Sequence, residues 1–138
     1  MKAARAADAM VLDSWAVLAW LGDEPSAAVV EELLIGANRD GRRILLGMVN
    51  AAEIWCVVAR RVSEAAAEDL IGDLIRMKIQ LVEVDWKISR TAASFKTRYR
   101  MSLGDVFAAA LAHHEGGELI TGDPEFRQVE RDIRIRWV

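Results

Sequence analysis

The sequence predicts a single α/β domain spanning residues 1–138, with a parallel sheet covered on both faces by helices. Three features carry that expectation. Short apolar runs of strand length alternate with longer segments at helical spacing along the whole chain, as in strand–helix–strand units. The run Ile44-Leu45-Leu46-Gly47-Met48-Val49 is continuous rather than alternating, as suits a strand covered on both faces. And 138 residues, 53% hydrophobic and 28% charged, suit one folded domain with a real core rather than a disordered chain.

The elements follow in order. Residues 1–8 are expected to form a flexible extension; Lys2 and Arg5 precede an apolar run too short for a signal peptide. Met10-Val11-Leu12 is a buried strand that stops at Asp13, and a helix begins at once with Asp13 as its N-cap. Gly22-Asp23-Glu24-Pro25-Ser26 is a turn with helix-start chemistry. Residues 26–37 then place Val29, Val30, Leu33 and Leu34 on one helical face and Glu31 and Glu32 on the other, before Gly36, Asn38 and Gly41 break the pattern. After the strand 44–49, Asn50-Ala51-Ala52-Glu53 opens a helix as a near relative of a capping box, with Asn50 capping, and runs to Arg60 and Arg61. A second amphipathic helix over 63–77 follows too closely for a strand between them, so the two form a helical hairpin. Leu81-Val82-Glu83-Val84 is a strand ending at Asp85, and a helix over 86–98 comes next. Ser102-Leu103-Gly104-Asp105 starts an Ala-rich helix whose small side chains allow close approach to a sheet; His113 and His114 stand at its C-terminal end and Gly116-Gly117 ends it. Glu118-Leu119-Ile120-Thr121 is a strand, and Gly122-Asp123-Pro124-Glu125 a turn in which Asp123 caps and Pro124 takes the first helical position. The alternation in Ile133-Arg134-Ile135-Arg136-Trp137 suggests an edge strand.

Composition narrows the function classes. The one cysteine, Cys56, supports no intramolecular disulfide and sits in the apolar run Ile54-Trp55-Cys56-Val57-Val58, where a core position and a reducing cytosol are expected. No apolar stretch reaches the roughly 18 residues of a membrane span, so a soluble cytoplasmic domain is expected. The net charge of −3 does not point to a polyanionic partner, yet 14 of the 18 basic residues are Arg, which suits bidentate phosphate contacts. Arg clusters at 39/42/43, 60/61, 98/100 and 127/131/134/136 are equally readable as solvated helix faces.

Chemistry enters through the acids. Asp13, Glu53, Asp105 and Asp123 all stand where a strand gives way to a helix or where a helix opens, and in a parallel doubly wound sheet those junctions share one edge. Taken singly, each is an ordinary helix cap. Taken together they would crowd, and clustered carboxylates repel unless a cation neutralises them or one takes a proton. Hard divalent cations such as Mg²⁺ or Mn²⁺ favour carboxylate oxygens, and such a site suits phosphodiester hydrolysis in the two-metal manner without any His or Cys. Asp85 also ends a strand and precedes a helix. It is read as a cap alone, because a strand two places away cannot easily share the ion.

The stretches Val11-Leu12-Asp13-Ser14, Asn50-Ala51-Ala52-Glu53-Ile54, Ser102 through Ala112, and Leu119-Ile120-Thr121-Gly122-Asp123-Pro124-Glu125-Phe126 together resemble the PIN domain, in order and spacing, across nearly the whole chain. The likeness is closest to the small stand-alone VapC-type toxins of bacterial and archaeal toxin–antitoxin pairs. It implies a three-layer α/β/α fold with strand order 3-2-1-4-5, and Mg²⁺- or Mn²⁺-dependent endoribonuclease activity. Carried over by position, Asp13, Glu53, Asp105 and Asp123 match the catalytic, metal-binding acids; Ser14, Asn50 and Thr121 match supporting positions. The likeness further implies a homodimer inhibited by a cognate VapB-type antitoxin whose C-terminal segment covers the acidic groove. Val106 stands where Ala is common in the family, and Gly104 before Asp105 could loosen the helix start; neither removes a ligand. Two rival classes fit the sequence less well. A receiver-like signalling domain needs a paired acid after its first strand and a late lysine, both missing here. A non-catalytic PIN-like module that binds RNA or protein would be favoured by loss of an acid, and none is lost.

Overall fold

The computed structural model describes residues 8–138. The expected N-terminal extension therefore lies outside the described residues, except for Asp8, whose backbone carbonyl accepts the Arg43 N–H at 3.0 Å. Five parallel strands make the sheet: β1 (Ala9–Leu12), β2 (Arg43–Gly47), β3 (Ile79–Val82), β4 (Glu118–Thr121) and β5 (Arg134–Trp137). Their order is β3-β2-β1-β4-β5, so β1 is central and flanked by β2 and β4. Six α-helices, α1 (Ser14–Leu21), α2 (Ala27–Arg39), α3 (Met48–Arg61), α4 (Glu64–Arg76), α5 (Trp86–Arg98) and α6 (Leu103–Glu115), and a 3₁₀ helix at Pro124–Val129 complete the three layers.

The strand period of two explains the layering. Met10 and Leu12 of β1 enter the apolar layer made with α1 to α4, while Ala9 and Val11 enter the layer made with α5, α6 and the 3₁₀ helix. Every residue of β1 is buried, as a central parallel strand must be. Fully buried leucines of this kind, Leu12 and Leu46 among them, are worth about 2–5 kcal/mol each against alanine. In α6 the expected close approach is real: Ala108, Ala109, Ala110 and Ala112 are all buried against the sheet and α5.

Several boundaries differ from the sequence reading. β2 ends at Gly47, and Met48-Val49, expected in the strand, form the first turn of α3. The N-cap is Gly47, with extended backbone and no side-chain cap. Asn50 is thus already inside the helix and is not a cap; its side chain is free to reach across the site. β3 runs over 79–82 rather than 81–84, because Lys78 in the left-handed region (φ 67°) turns the chain directly from α4 into the sheet. α2 continues through Gly36 to Arg39. The segment after Asp123 is not only a turn but a six-residue 3₁₀ helix. Cys56 is half-buried, not a core residue. β5 is an edge strand, as its alternation suggested, and α3 with α4 forms the expected hairpin.

Candidate metal centre

The C-terminal edge of the sheet gathers the acids. Asp13 follows β1 directly and caps α1: its backbone is extended, and its Oδ1 accepts the Ala16 N–H at 2.7 Å. Its other oxygen is taken by the neighbouring strand. Thr121, last residue of β4, donates its hydroxyl to Asp13 Oδ2 at 2.6 Å and accepts the Asp123 N–H at 3.0 Å. One buried hydroxyl therefore links the ends of β1 and β4 and fixes where the chain leaves for Asp123. Asp13 itself is 1% exposed.

Glu53 arrives from the second turn of α3. Its carboxylate accepts the Ser14 hydroxyl at 2.5 Å and the Asn50 side-chain amide at 3.0 Å. Asn50 is also 1% exposed and shares its amide protons with Ser14 Oγ at 3.2 Å and the Gly104 carbonyl at 3.1 Å. This side chain thereby joins α1, α3 and α6. Gly104 leaves room for the same carboxylate: a Cβ there would fall 2.3 Å from either Glu53 oxygen, so the end of that side chain would have to shift. The glycine read as a loosened helix start is the seat of Glu53. Gly122 is comparable, since a Cβ would lie 2.3 Å from the Trp15 ring.

Asp105 stands in the first turn of α6, with its N–H donating to the Ser102 cap at 3.2 Å. Asp123 caps the 3₁₀ helix, its Oδ1 accepting the Glu125 N–H at 3.0 Å. Asp105, Asp123 and Glu125 each offer a carboxylate oxygen within 4.8 Å of the other two. Opposed ligands of a cation with ~2.1 Å bonds lie ~4.2 Å apart, so small side-chain adjustments would close this trio onto a hard divalent ion. The donor set, carboxylate oxygens alone, fits such an ion and not a thiophilic one.

The electrostatics describe a crowded site. Burial pushes the Asp13 carboxyl up to about 7, against the lowering effect of its bonds from Thr121 and Ala16 and with the negative charges of Asp123 and Glu53 adding to the rise. Asp105 is also pushed up to about 7, by burial first, then by a hydrogen bond shared with Glu125 and by the charge of Asp123; Asp13 contributes as well. All four acids named from the sequence, with Glu125 added, thus belong to one electrostatic neighbourhood. The tightest grouping is Asp105, Asp123 and Glu125; Asp13 and Glu53 flank it, each held by hydroxyl or amide donors. The sequence pattern did not single out Glu125. The available signal was an acid in the first turn after Asp123-Pro124, which a short helix folds back toward its cap. Asp85 is exposed and caps α5 through an Ile88 N–H at 2.8 Å, at the end of β3, two strands from β1 and so roughly 10 Å away.

The sequence model of the PIN domain matches residues 10–132. The chain belongs to the PIN-domain family. A curated relative, Ribonuclease VapC of Mycolicibacterium smegmatis, is 32% identical over 125 residues, covering 86% of this chain and 94% of that protein. Among solved structures, VapBC2 from Rickettsia felis bound to a promoter DNA fragment superposes with a TM-score of 0.72 at 15% identity, covering 94% of this chain and 98% of that one. Mycobacterium tuberculosis VapC20, a Sarcin-Ricin loop cleaving toxin, superposes with a TM-score of 0.64 at 16% identity over 87% of this chain and 94% of that one. At those identities the structural likeness shows the fold, and the strand order of this PIN domain agrees with it.

Proposed function

We propose that this PIN domain is an Mg²⁺- or Mn²⁺-dependent endoribonuclease, the toxin of a VapBC-type toxin–antitoxin pair. The observation that carries the reading is the 32% identity to Ribonuclease VapC over nearly that protein's whole length, in a chain that brings Asp105, Asp123 and Glu125 together. Asp105, Asp123 and Glu125 would hold the cation together with Asp13, and Glu53 would complete the acidic site from α3. A divalent ion bound there would polarise the scissile phosphate and ease deprotonation of a water. The chain's own part is orientation. Thr121 holds Asp13 Oδ2, Ser14 and Asn50 hold Glu53, and Ser102 holds the first turn that carries Asp105. Fixed acids of this sort avoid reorganisation when charge develops on the phosphate oxygens.

The same reading implies a VapB-type antitoxin as partner. A groove of about 730 Å³, lined by Trp15, Leu18, Val29 and Arg61 among others, adjoins the acidic edge through Trp15, whose ring lies against Gly122. A homodimer is also implied, and the α3–α4 hairpin leaves Val62 and Ile75 more than half exposed. Among the described residues no helix is long and apolar enough to cross a membrane.

The test is cleavage of RNA by purified protein with Mg²⁺ or Mn²⁺. Cleavage is expected to stop on chelation and to be lost in Asp105→Asn. Undiminished cleavage by that variant would overturn the assignment.

A further inference from the structure

We infer that Gln128 is a positioning residue that sets the spacing of the acidic trio, an inference that rests on the metal-dependent reading above. Its side-chain amide engages both backbone polar groups of one residue in the α5–α6 connector. The Arg100 N–H donates to Gln128 Oε1 at 2.9 Å, and Gln128 Nε2 donates to the Arg100 carbonyl at 3.0 Å. Nε2 also donates to the Glu125 carbonyl at 3.1 Å. One amide therefore spends an acceptor and two donors on tying residue 100 to residue 125.

The two ends of that tie are the two segments that carry the trio. Arg100 lies two residues before Ser102, whose hydroxyl accepts the Asp105 N–H; at the other end Glu125 donates its own N–H to Asp123 Oδ1. The path from Asp105 to Glu125 thus runs through Ser102, Arg100 and Gln128 without passing through the sheet. The connector is also held to the far end of the 3₁₀ segment, where the Tyr99 hydroxyl donates to Asp132 and Arg98 pairs with it at 3.7 Å, but Gln128 alone of these reaches Glu125; Lys96 Nζ donates within the connector to the Met101 carbonyl.

The residue type matters because a primary amide offers a donor and an acceptor side by side, matching the N–H and C=O of a single backbone residue. Gln128 is exposed, so burial does not compel these bonds, and each adds little to stability. Their effect is geometric. Groups that orient metal ligands typically change metal affinity or activity 10–100-fold when removed, far more than their share of stability suggests.

The experiment measures Mn²⁺ binding to the full chain by electron paramagnetic resonance of the free ion. Wild type is compared with Gln128→Met, Gln128→Ala, Asp105→Asn and, as a stability control on the same sheet edge, Asp85→Ala. Both Gln128 variants are expected to bind Mn²⁺ about tenfold more weakly and to exchange the amide hydrogens of residues 99–105 faster. Asp85→Ala, which loses the α5 cap, is expected to keep wild-type affinity. Wild-type affinity in the folded Gln128 variants overturns the inference, and so does equal weakening in Asp85→Ala, which would mark a general loss of stability. Failure of the underlying reading looks different: wild type binds no Mn²⁺, or Asp105→Asn binds it equally well, and the inference falls with it.

Discussion

Asp13 and Asp85 stand at the ends of β1 and β3 and do the same local work. Each has an extended backbone, each precedes a helix, and each accepts the N–H three residues on, at 2.7 and 2.8 Å. Their surroundings differ entirely. Asp85 leaves an edge strand and is exposed; Asp13 leaves the central strand, is buried, and meets Thr121 from β4 and the charges of Asp123 and Glu53. A cap is therefore no evidence for or against a ligand. Strand position decides which capping acid is pressed among other acids, and only there does a cation have something to neutralise.

The largest expected effect would break or sustain that contrast directly. Asp13→Ala should lower kcat/KM for RNA by at least the ~100-fold that loss of a supporting residue can cost at a metal site, while Asp85→Ala should cost ~1 kcal/mol of stability and leave cleavage unchanged. Equal losses of activity in steady-state assays of the two variants would show that both act through capping alone.

A smaller effect sharpens the comparison at α6. Gly104→Ala should reduce cleavage roughly tenfold with little change in thermal midpoint. The new methyl displaces the far end of Glu53, a flexible side chain, from its bonds to Ser14 and Asn50, while alanine suits a helix better than glycine. Wild-type cleavage in Gly104→Ala would show that the seat of Glu53 is unimportant.

The smallest effect is on stability against pH. Asp13 and Asp105 are each raised to about 7 in the folded chain from an ordinary 3.8, so between those values the folded state holds protons that the unfolded state has released. The stability they contribute is full below about pH 4 and is lost as pH rises through about 7. Denaturant midpoints measured in chelator should accordingly fall across that window. Asp13→Asn should flatten the slope; a slope unchanged in that variant would remove Asp13 from the crowded group.

Much of this was legible along the chain. The strand that ends at Asp13, the Ala-rich helix opened by Ser102 and the caps at Asp85 and Asp123 are short-range features, written in residues a few positions apart. The β2–α3 junction was not, because Met48 and Val49 are apolar enough for a strand; pairing with β3, which stops at Gly47, ends it instead. Asn50 was read as a cap for the same reason, and its true partners, on α1 and α6, are 36 and 54 residues away. Glu125 carries only a weak local signal, an acid one residue after Pro124, which a solvated acid in a turn would share.

By itself, then, the sequence determined the alternation of strands and helices and the acids that cap or open helices, Asp13, Asp105 and Asp123, since periodicity and capping act within a turn or two. Only the tertiary structure decided that Glu125 joins Asp105 and Asp123, that Gly104 makes room for the Glu53 carboxylate, and that Gln128 ties the two segments of the trio together. Those facts rest on contacts between residues distant in the chain, which exist only once the parallel sheet has brought its strand ends to one edge.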